Sequence, residues 1–171
     1  AETAINYLLA NNILSRPEDK LFRPNDSITR EEIVKMLVMA TGTLDENAVT
    51  ALSDVKKGEW YYPYIASAVQ EGIVVGDDKG HFNIGSNITR QDIAVMIGRT
   101  LALAGFETEA NNEKVFDDDG DISEYAKNAV YFMKQIGIIN GIGNNLFAPR
   151  ATATRAQVAK MIYEMMKAVG K

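Results

Sequence analysis

The sequence predicts an all-α domain of three helix–loop–helix repeats, arranged with pseudo-three-fold symmetry around a shared central three-helix core. Two observations carry this. One segment recurs three times in fixed register, and each recurrence holds an apolar stripe of helical period. The recurrences are SITREEIVKMLVMA from Ser27, NITRQDIAVMIGRT from Asn87 and TATRAQVAKMIYEM from Thr152. Their marker threonines, Thr29, Thr89 and Thr154, stand 60 and 65 residues apart. Upstream the register holds without a gap: Phe22, Phe82 and Phe147 each precede the marker by seven positions. Further back, Trp60, Ile65, Ala68 and Gly72 align with Tyr125, Val130, Met133 and Gly137. Leu52-Ser53-Asp54 pairs with Phe116-Asp117-Asp118 after one slipped residue. One helix pair cannot bury its own stripe, so three stripes meeting at one centre are expected to stabilise units of this size.

The elements follow in order. The first upstream helix runs from the N-terminus to about Asn11, and Asn12 takes the left-handed position that ends it. Its counterparts run roughly from Trp60 to Glu71 and from Glu124 to Ile136, ended by Gly72 and Gly137. Each downstream helix follows a marker threonine. Ile33, Met36, Leu37 and Ala40 recur at helical spacing, as do Ile93, Met96, Ile97 and Leu101, then Val158, Met161, Ile162, Met165 and Met166. Loops such as VVGDDKGHFNIGSN and INGIGNNLFAPRAT join the helices, turned by glycine and asparagine and pinned by one Phe. Polar linkers around TGTLDENAVT and AGFETEANNEK divide the chain into repeats 1–42, 50–105 and 114–171 of one integrated domain. Counting back from Trp60 by the repeat spacing falls before residue 1. The first repeat is therefore read as lacking its aromatic and its Leu/Phe-x-Asp segment.

Composition removes most other classes. Of 171 residues, 46% are hydrophobic and 24% charged, as in globular chains, which argues against disorder. No run of eighteen apolar residues predicts a membrane span, and AETAINYLLANN shows no signal-peptide pattern. A net charge of −5 without a basic stripe argues against nucleic acid and against electrostatic membrane binding. Zero cysteines exclude disulfides, thiolate metal sites and cysteine nucleophiles. The single histidine, His81, sits in a polar turn and leaves little room for catalysis, so no enzyme, metal or cofactor is expected. Asp117-Asp118-Asp119-Gly120-Asp121 hints at a calcium loop, but its glycine comes one place early and Asn128 stands where a Glu belongs. Asn87-Ile88-Thr89 fits a glycosylation sequon whose threonine already serves as a helix cap.

Chemistry concentrates in the repeated Thr-Arg dipeptide. The threonines sit where an N-cap belongs, and Glu32, Asp92 and Gln157 follow three residues later, giving capping boxes in copies one and three and a near relative in copy two. The cap leaves arginine unexplained. Arg30, Arg90 and Arg155 occupy the first helical position, where the helix dipole opposes a cation by roughly 0.3–1 kcal/mol. The same disfavoured placement three times calls for a compensating anion. A guanidinium beside unpaired backbone N–H groups suits an external carboxylate or phosphate. The alternative is a structural salt bridge to Glu18, Asp26 or an acid of a neighbouring copy.

Ile28-Thr29-Arg30-Glu31-Glu32, Ile88-Thr89-Arg90-Gln91-Asp92 and Ala153-Thr154-Arg155-Ala156-Gln157 resemble the Ile-Thr-Arg-Ala-Glu signature of S-layer homology domains. The family's Phe-x-Asp, Trp, Gly-Ile-Ile-x-Gly and Phe-x-Pro elements have counterparts in Phe116 to Asp118, Trp60, Gly72 to Gly76, Gly137 to Gly141, Phe22 to Pro24 and Phe147 to Pro149. The resemblance covers nearly the whole chain. It implies a non-catalytic, extracellular anchor that binds pyruvylated secondary cell-wall polysaccharide in grooves between repeats, at the bacterial cell wall or S-layer. By position it implies Arg30, Arg90 and Arg155 as carboxylate readers, Trp60 and Tyr125 as aromatic walls, Asp54 and Asp118 as acceptors for sugar hydroxyls, and Gly76 and Gly141 as sites of close backbone approach. Other S-layer subunits are a further possible partner, and the alternative function is a surface-layer assembly module with structural arginines. Four positions depart from the pattern: Arg16 replaces the loop glycine, Ile84 replaces Pro24 and Pro149, and Gln91-Asp92 replaces Ala-Glu.

Overall fold

Each apolar stripe forms a helix. The structure, a computed structural model, describes residues 1–15, 22–110 and 114–170. It contains α1 (Glu2–Ala10), α2 (Arg30–Thr41), α3 (Tyr62–Gln70), α4 (Arg90–Leu103), α5 (Glu124–Gln135) and α6 (Arg155–Ala168), with a short 3-10 turn at Asp119–Asp121. Among the described residues there is no strand, only isolated bridges joining Ser27 to Thr154, Thr29 to Asn87 and Thr89 to Thr152. The fold class is all-α. None of these helices is long and apolar enough to cross a membrane.

The expected helix stops are present. Asn12, Gly72 and Gly137 have φ of 56°, 75° and 79°. The next amides, of Ile13, Ile73 and Ile138, reach back to the carbonyls of Leu8, Ala68 and Met133 at 2.9, 2.8 and 2.9 Å, which closes each helix end. One start differs from the sequence reading. α3 begins at Tyr62 with Pro63 in its first turn, so Trp60 precedes the helix.

α2, α4 and α6 touch one another pairwise at the centre. There Ile33, Leu37, Ile93, Ile97, Val158 and Ile162 are fully shielded from solvent. The outer helices depart from a simple helix pair within each copy: α3 packs on α2, α5 on α4, and α1 closes onto α6. Tyr7 meets Tyr163 edge-on at this last seam, with ring centroids 5.2 Å apart. Phe82 and Phe147 are wholly buried, so in copies two and three the loop passes through the core before the downstream helix begins.

One contact, made three times, joins the copies. Arg30 Nε donates to the Phe82 carbonyl at 3.0 Å, Arg90 Nε to that of Phe147 at 2.8 Å, and Arg155 Nε to that of Phe22 at 3.1 Å. In each case the guanidinium carbon also lies 5.2–5.3 Å from the centre of the same Phe ring. Backbone bonds run the same way. The N–H groups of Arg30, Arg90 and Arg155 donate to the carbonyls of Ser86, Ala151 and Asp26 at 3.0, 2.9 and 2.9 Å. Copy one thus holds copy two, copy two holds copy three, and copy three holds copy one.

Arg90 is the deepest of the three, at 3% exposure. Burial holds its guanidinium below the usual arginine range, opposed by the nearby Asp118 carboxylate. Replacing it by methionine strands the Phe147 carbonyl and removes a charged hydrogen bond. Arg90→Met should therefore cost about 2 kcal/mol and lower the melting temperature by roughly 4–8 °C in calorimetry, while the exposed Lys56→Met stays within about 0.5 kcal/mol of wild type.

Candidate functional site

The loop that presents each phenylalanine is fixed by a distant carboxylate. Asp54 accepts from the N–H groups of Phe82, Asn83 and Ile84 at 2.7, 2.7 and 3.0 Å. Asp118 accepts from Phe147 and Ala148 at 2.9 and 2.7 Å. A third bond is impossible there because Pro149 stands where Ile84 does and has no N–H. The residue after each phenylalanine is left-handed: Arg23, Asn83 and Ala148 have φ of 50°, 69° and 55°. That conformation costs a residue with a Cβ roughly 1–2 kcal/mol, and the Asp54 and Asp118 bonds offset it in copies two and three. Both aspartates, expected as acceptors for sugar hydroxyls, thus already brace the loop backbone. Their oxygens are engaged by the loop backbone, and they shape the site through that loop.

The compensating anion is internal at two of the three junctions. Glu32 caps its own helix through Oε2, which accepts the Thr29 N–H at 2.9 Å, while its Oε1 accepts Arg155 Nη1 at 2.6 Å. Asp92 Oδ2 accepts the Thr89 hydroxyl at 2.8 Å and Arg30 Nη1 at 3.4 Å. At the third junction the same helical position holds the neutral Gln157, and no carboxylate among the described residues lies within ion-pair distance of Arg90. The first-turn N–H groups are not open receptors either, since neighbouring loop carbonyls take those of the arginines and of Gln91 and Ala156. Arg30 and Arg155 thus each have a neighbour-copy acid within reach, whereas Arg90 is held by burial and the Phe147 carbonyl.

Beside Arg30 the surface opens into a cleft of about 620 Å³. It unites all three copies: Arg30 from the first, Gly76, Asn83, Asp92 and Arg99 from the second, and Tyr125 from the third. Tyr125 is 62% exposed. Its hydroxyl donates to Asp92 Oδ1 at 2.7 Å and accepts from Gln91 Nε2 at 3.1 Å. Partial burial and the Asp92 bond push its pKa up to about 12, so it remains a donor at neutral pH. Gln91 also caps the start of α5, with Oε1 accepting the Ser123 N–H at 3.0 Å, which accounts for its departure from alanine. Trp60, 50% exposed, stands at a different junction. Lys35 Nζ lies 5.9 Å from its ring centre, on the helix whose Glu32 pairs with Arg155.

The family model described as the S-layer homology domain matches residues 1–34, 51–94 and 115–159. The chain belongs to the S-layer homology domain family. It is 34% identical over 171 residues to an amylopullulanase of Thermoanaerobacterium thermosulfurigenes, covering 99% of this chain and 9% of that protein. It is 33% identical over 168 residues to exoglucanase XynX of Acetivibrio thermocellus, covering 98% of this chain and 15% of that one. With S-layer protein EA1 of Bacillus anthracis it shares 27% identity over 172 residues, 100% of this chain and 19% of the relative. The chain thus spans less than a fifth of the length of each. S-layer homology domains are non-catalytic modules that anchor proteins to the cell wall, found in S-layer proteins and glycoside hydrolases alike. The bacterial cell surface is accordingly where this chain resides.

Within this S-layer homology domain the loop glycines answer first to the loop itself. A Cβ at Gly76 would collide with the Leu52 side chain, and one at Gly141, where φ is +82°, would come within 2.5 Å of the Leu146 carbonyl oxygen. Gly76 also lines the Arg30 cleft. Arg16, at the matching place in copy one, and Glu18 lie outside the described residues. The acidic run 117–121 is turned to other partners: Asp117 to the Asn145 amide at 2.8 Å and Asp119 to the Tyr131 hydroxyl at 2.6 Å. Sequence reasoning missed the phenylalanine carbonyls as arginine acceptors and the left-handed residues that follow them. The invariant seven-residue step from Phe to Thr was the available signal.

Asp54 gives the loops a signature in acid. Burial pushes its carboxyl up, but the bonds from Phe82, Ile84 and Asn83 prevail and hold it below the ordinary 3.8. Its contribution is complete above that value and drains away as pH falls through the lower folded pKa. In thermal melts from about pH 5 to about pH 2, wild type should lead Asp54→Asn at the upper end, and the gap should close below pH 4.

Proposed function

We propose that this domain holds its parent protein on the wall by binding an anionic, pyruvylated secondary cell-wall polysaccharide in the clefts between neighbouring copies. The observation that carries the reading is the Arg30 cleft, where a guanidinium, an exposed tyrosine ring and a glycine from three copies line one concave surface. Arg30 is fixed through Nε and the face of its guanidinium, and its bond to Asp92 is long because Asp92 is shared with the Tyr125 hydroxyl. A ligand carboxylate then competes with Asp92 for the fork of N–H donors. Tyr125 offers its ring to a sugar face, and Trp60 does the same at the Arg155 junction. Arg155 reads a second carboxylate there. Arg90, with Gly141 in the facing loop, serves the third junction chiefly as a structural clamp. The reading requires no cofactor or metal.

A second reading, an assembly module of a surface layer, draws on the internal pairing of Arg30 and Arg155. It predicts self-association with rising concentration and no glycan binding.

Sedimentation with purified walls separates the two. The domain should pellet with walls that keep their secondary polysaccharide and stay in solution once it has been stripped; equal retention on stripped walls rejects the proposal. Tyr125→Ala should weaken wall binding at least about fivefold, while the loss of its hydroxyl bonds to Asp92 and Gln91 lowers stability by only about 1 kcal/mol.

A further inference from the structure

Helix α4 carries a positive charge that the inter-copy clamp does not use. Arg99 is exposed and lines the Arg30 cleft, and it also borders a narrower cleft of about 200 Å³ between α4 and α5. Among the described residues its bond runs from Nη1 to the Ile73 carbonyl at 3.3 Å, and no carboxylate of those residues forms an ion pair with it. The acids of the cleft are largely engaged elsewhere. Asp92 is held by Arg30, Thr89 and Tyr125, and Asp77 by the N–H groups of Lys79 and His81 and by the His81 ring. Asp78 lines the cleft on the loop side and makes no ion pair with Arg99.

The repeat register gives this charge a meaning. Six residues after the marker threonine the first and third copies carry Lys35 and Lys160, and the second carries Val95. Ten residues after it stand Met39 and Glu164, and in the second copy Arg99. Positions four apart share a helix face, and Val95 and Arg99 both line the cleft. The cation that two downstream helices place at one turn is therefore placed one turn later in α4, on a longer side chain that can reach back. Among the described residues the Arg99 bond to the Ile73 carbonyl leaves guanidinium donors unused at the cleft.

We infer that Arg99 is a specificity-determining residue of the Arg30 cleft, a second cation that makes this cleft select acidic saccharides over neutral ones. The inference rests on the carbohydrate reading of the same cleft. Arg30 is committed at the floor to Phe82 and Asp92, whereas Arg99 can offer its fork to a carboxylate without displacing an internal acid.

Calorimetric titration with the methyl glycoside of a pyruvate-ketal hexose, and with its neutral counterpart, tests this on wild type, Arg99→Met and the double variant Val95→Lys/Arg99→Met. Arg99→Met should lose about tenfold in affinity for the acidic glycoside and bind the neutral one as before. The double variant, with its charge back in the register of the other copies, should regain most of that loss. Unchanged acidic-glycoside affinity in Arg99→Met, in a protein where Tyr125→Ala still weakens it, overturns the inference and leaves the carbohydrate reading standing. No preference for the acidic glycoside in wild type overturns both.

Discussion

The bond from an arginine Nε to a phenylalanine carbonyl of the next copy is the contact on which the rest of this domain depends. Three helices start at that arginine, and each start is locked under a loop of another copy by a hydrogen bond, a guanidinium–ring contact and a backbone bond acting together. A cation at a helix N-terminus is electrostatically disfavoured. Here the negative end of a carbonyl dipole and the face of a ring meet it, and at two junctions a carboxylate meets it as well. Because the contacts close into a cycle, none of the three central helices is left as an unclamped end.

The same contact makes the junctions unequal. The acid that answers each arginine is the residue at the third helical position of the neighbouring copy, so the sequence at that one position sets the state of the guanidinium. Glutamate reaches Arg155 at 2.6 Å. The shorter aspartate, pulled also by Tyr125, reaches Arg30 only at 3.4 Å. Glutamine gives Arg90 no charge to pair with, and that arginine is the most deeply buried. Local helix capping and inter-copy electrostatics are thus carried by the same three side chains.

Much of this was legible in the sequence, and what was not has a common cause. The helices, their threonine caps and their Asn12, Gly72 and Gly137 stops follow from local rules of period and φ, and all but the start of α3 stand as read. Which helix packs on which does not follow, because an apolar stripe such as Ile93, Met96 and Ile97 announces burial without naming its partner. The loop-backbone partners of Asp54 and Asp118 lie 28 to 30 residues away, and backbone N–H groups leave no mark in a sequence. The arginine anomaly points to a negative partner, and inside the protein Arg30 and Arg155 meet a carboxylate while Arg90 meets only the Phe147 carbonyl. It could not tell an internal carboxylate and carbonyl from an external one, since both satisfy the same electrostatics. Arg99 was passed over because it breaks the repeat, and a search for repetition discounts what is not repeated.

The most direct test of the clamp is to watch the arginine Nε–H protons themselves. In solvent-exchange measurements by arginine-selective nuclear magnetic resonance, Arg30, Arg90 and Arg155 should give dispersed Nε–H signals that exchange far more slowly than that of Arg99, with Arg90 the slowest. Exchange of all four at one common rate would contradict the account, because the three guanidinium groups would then not be holding the copies together.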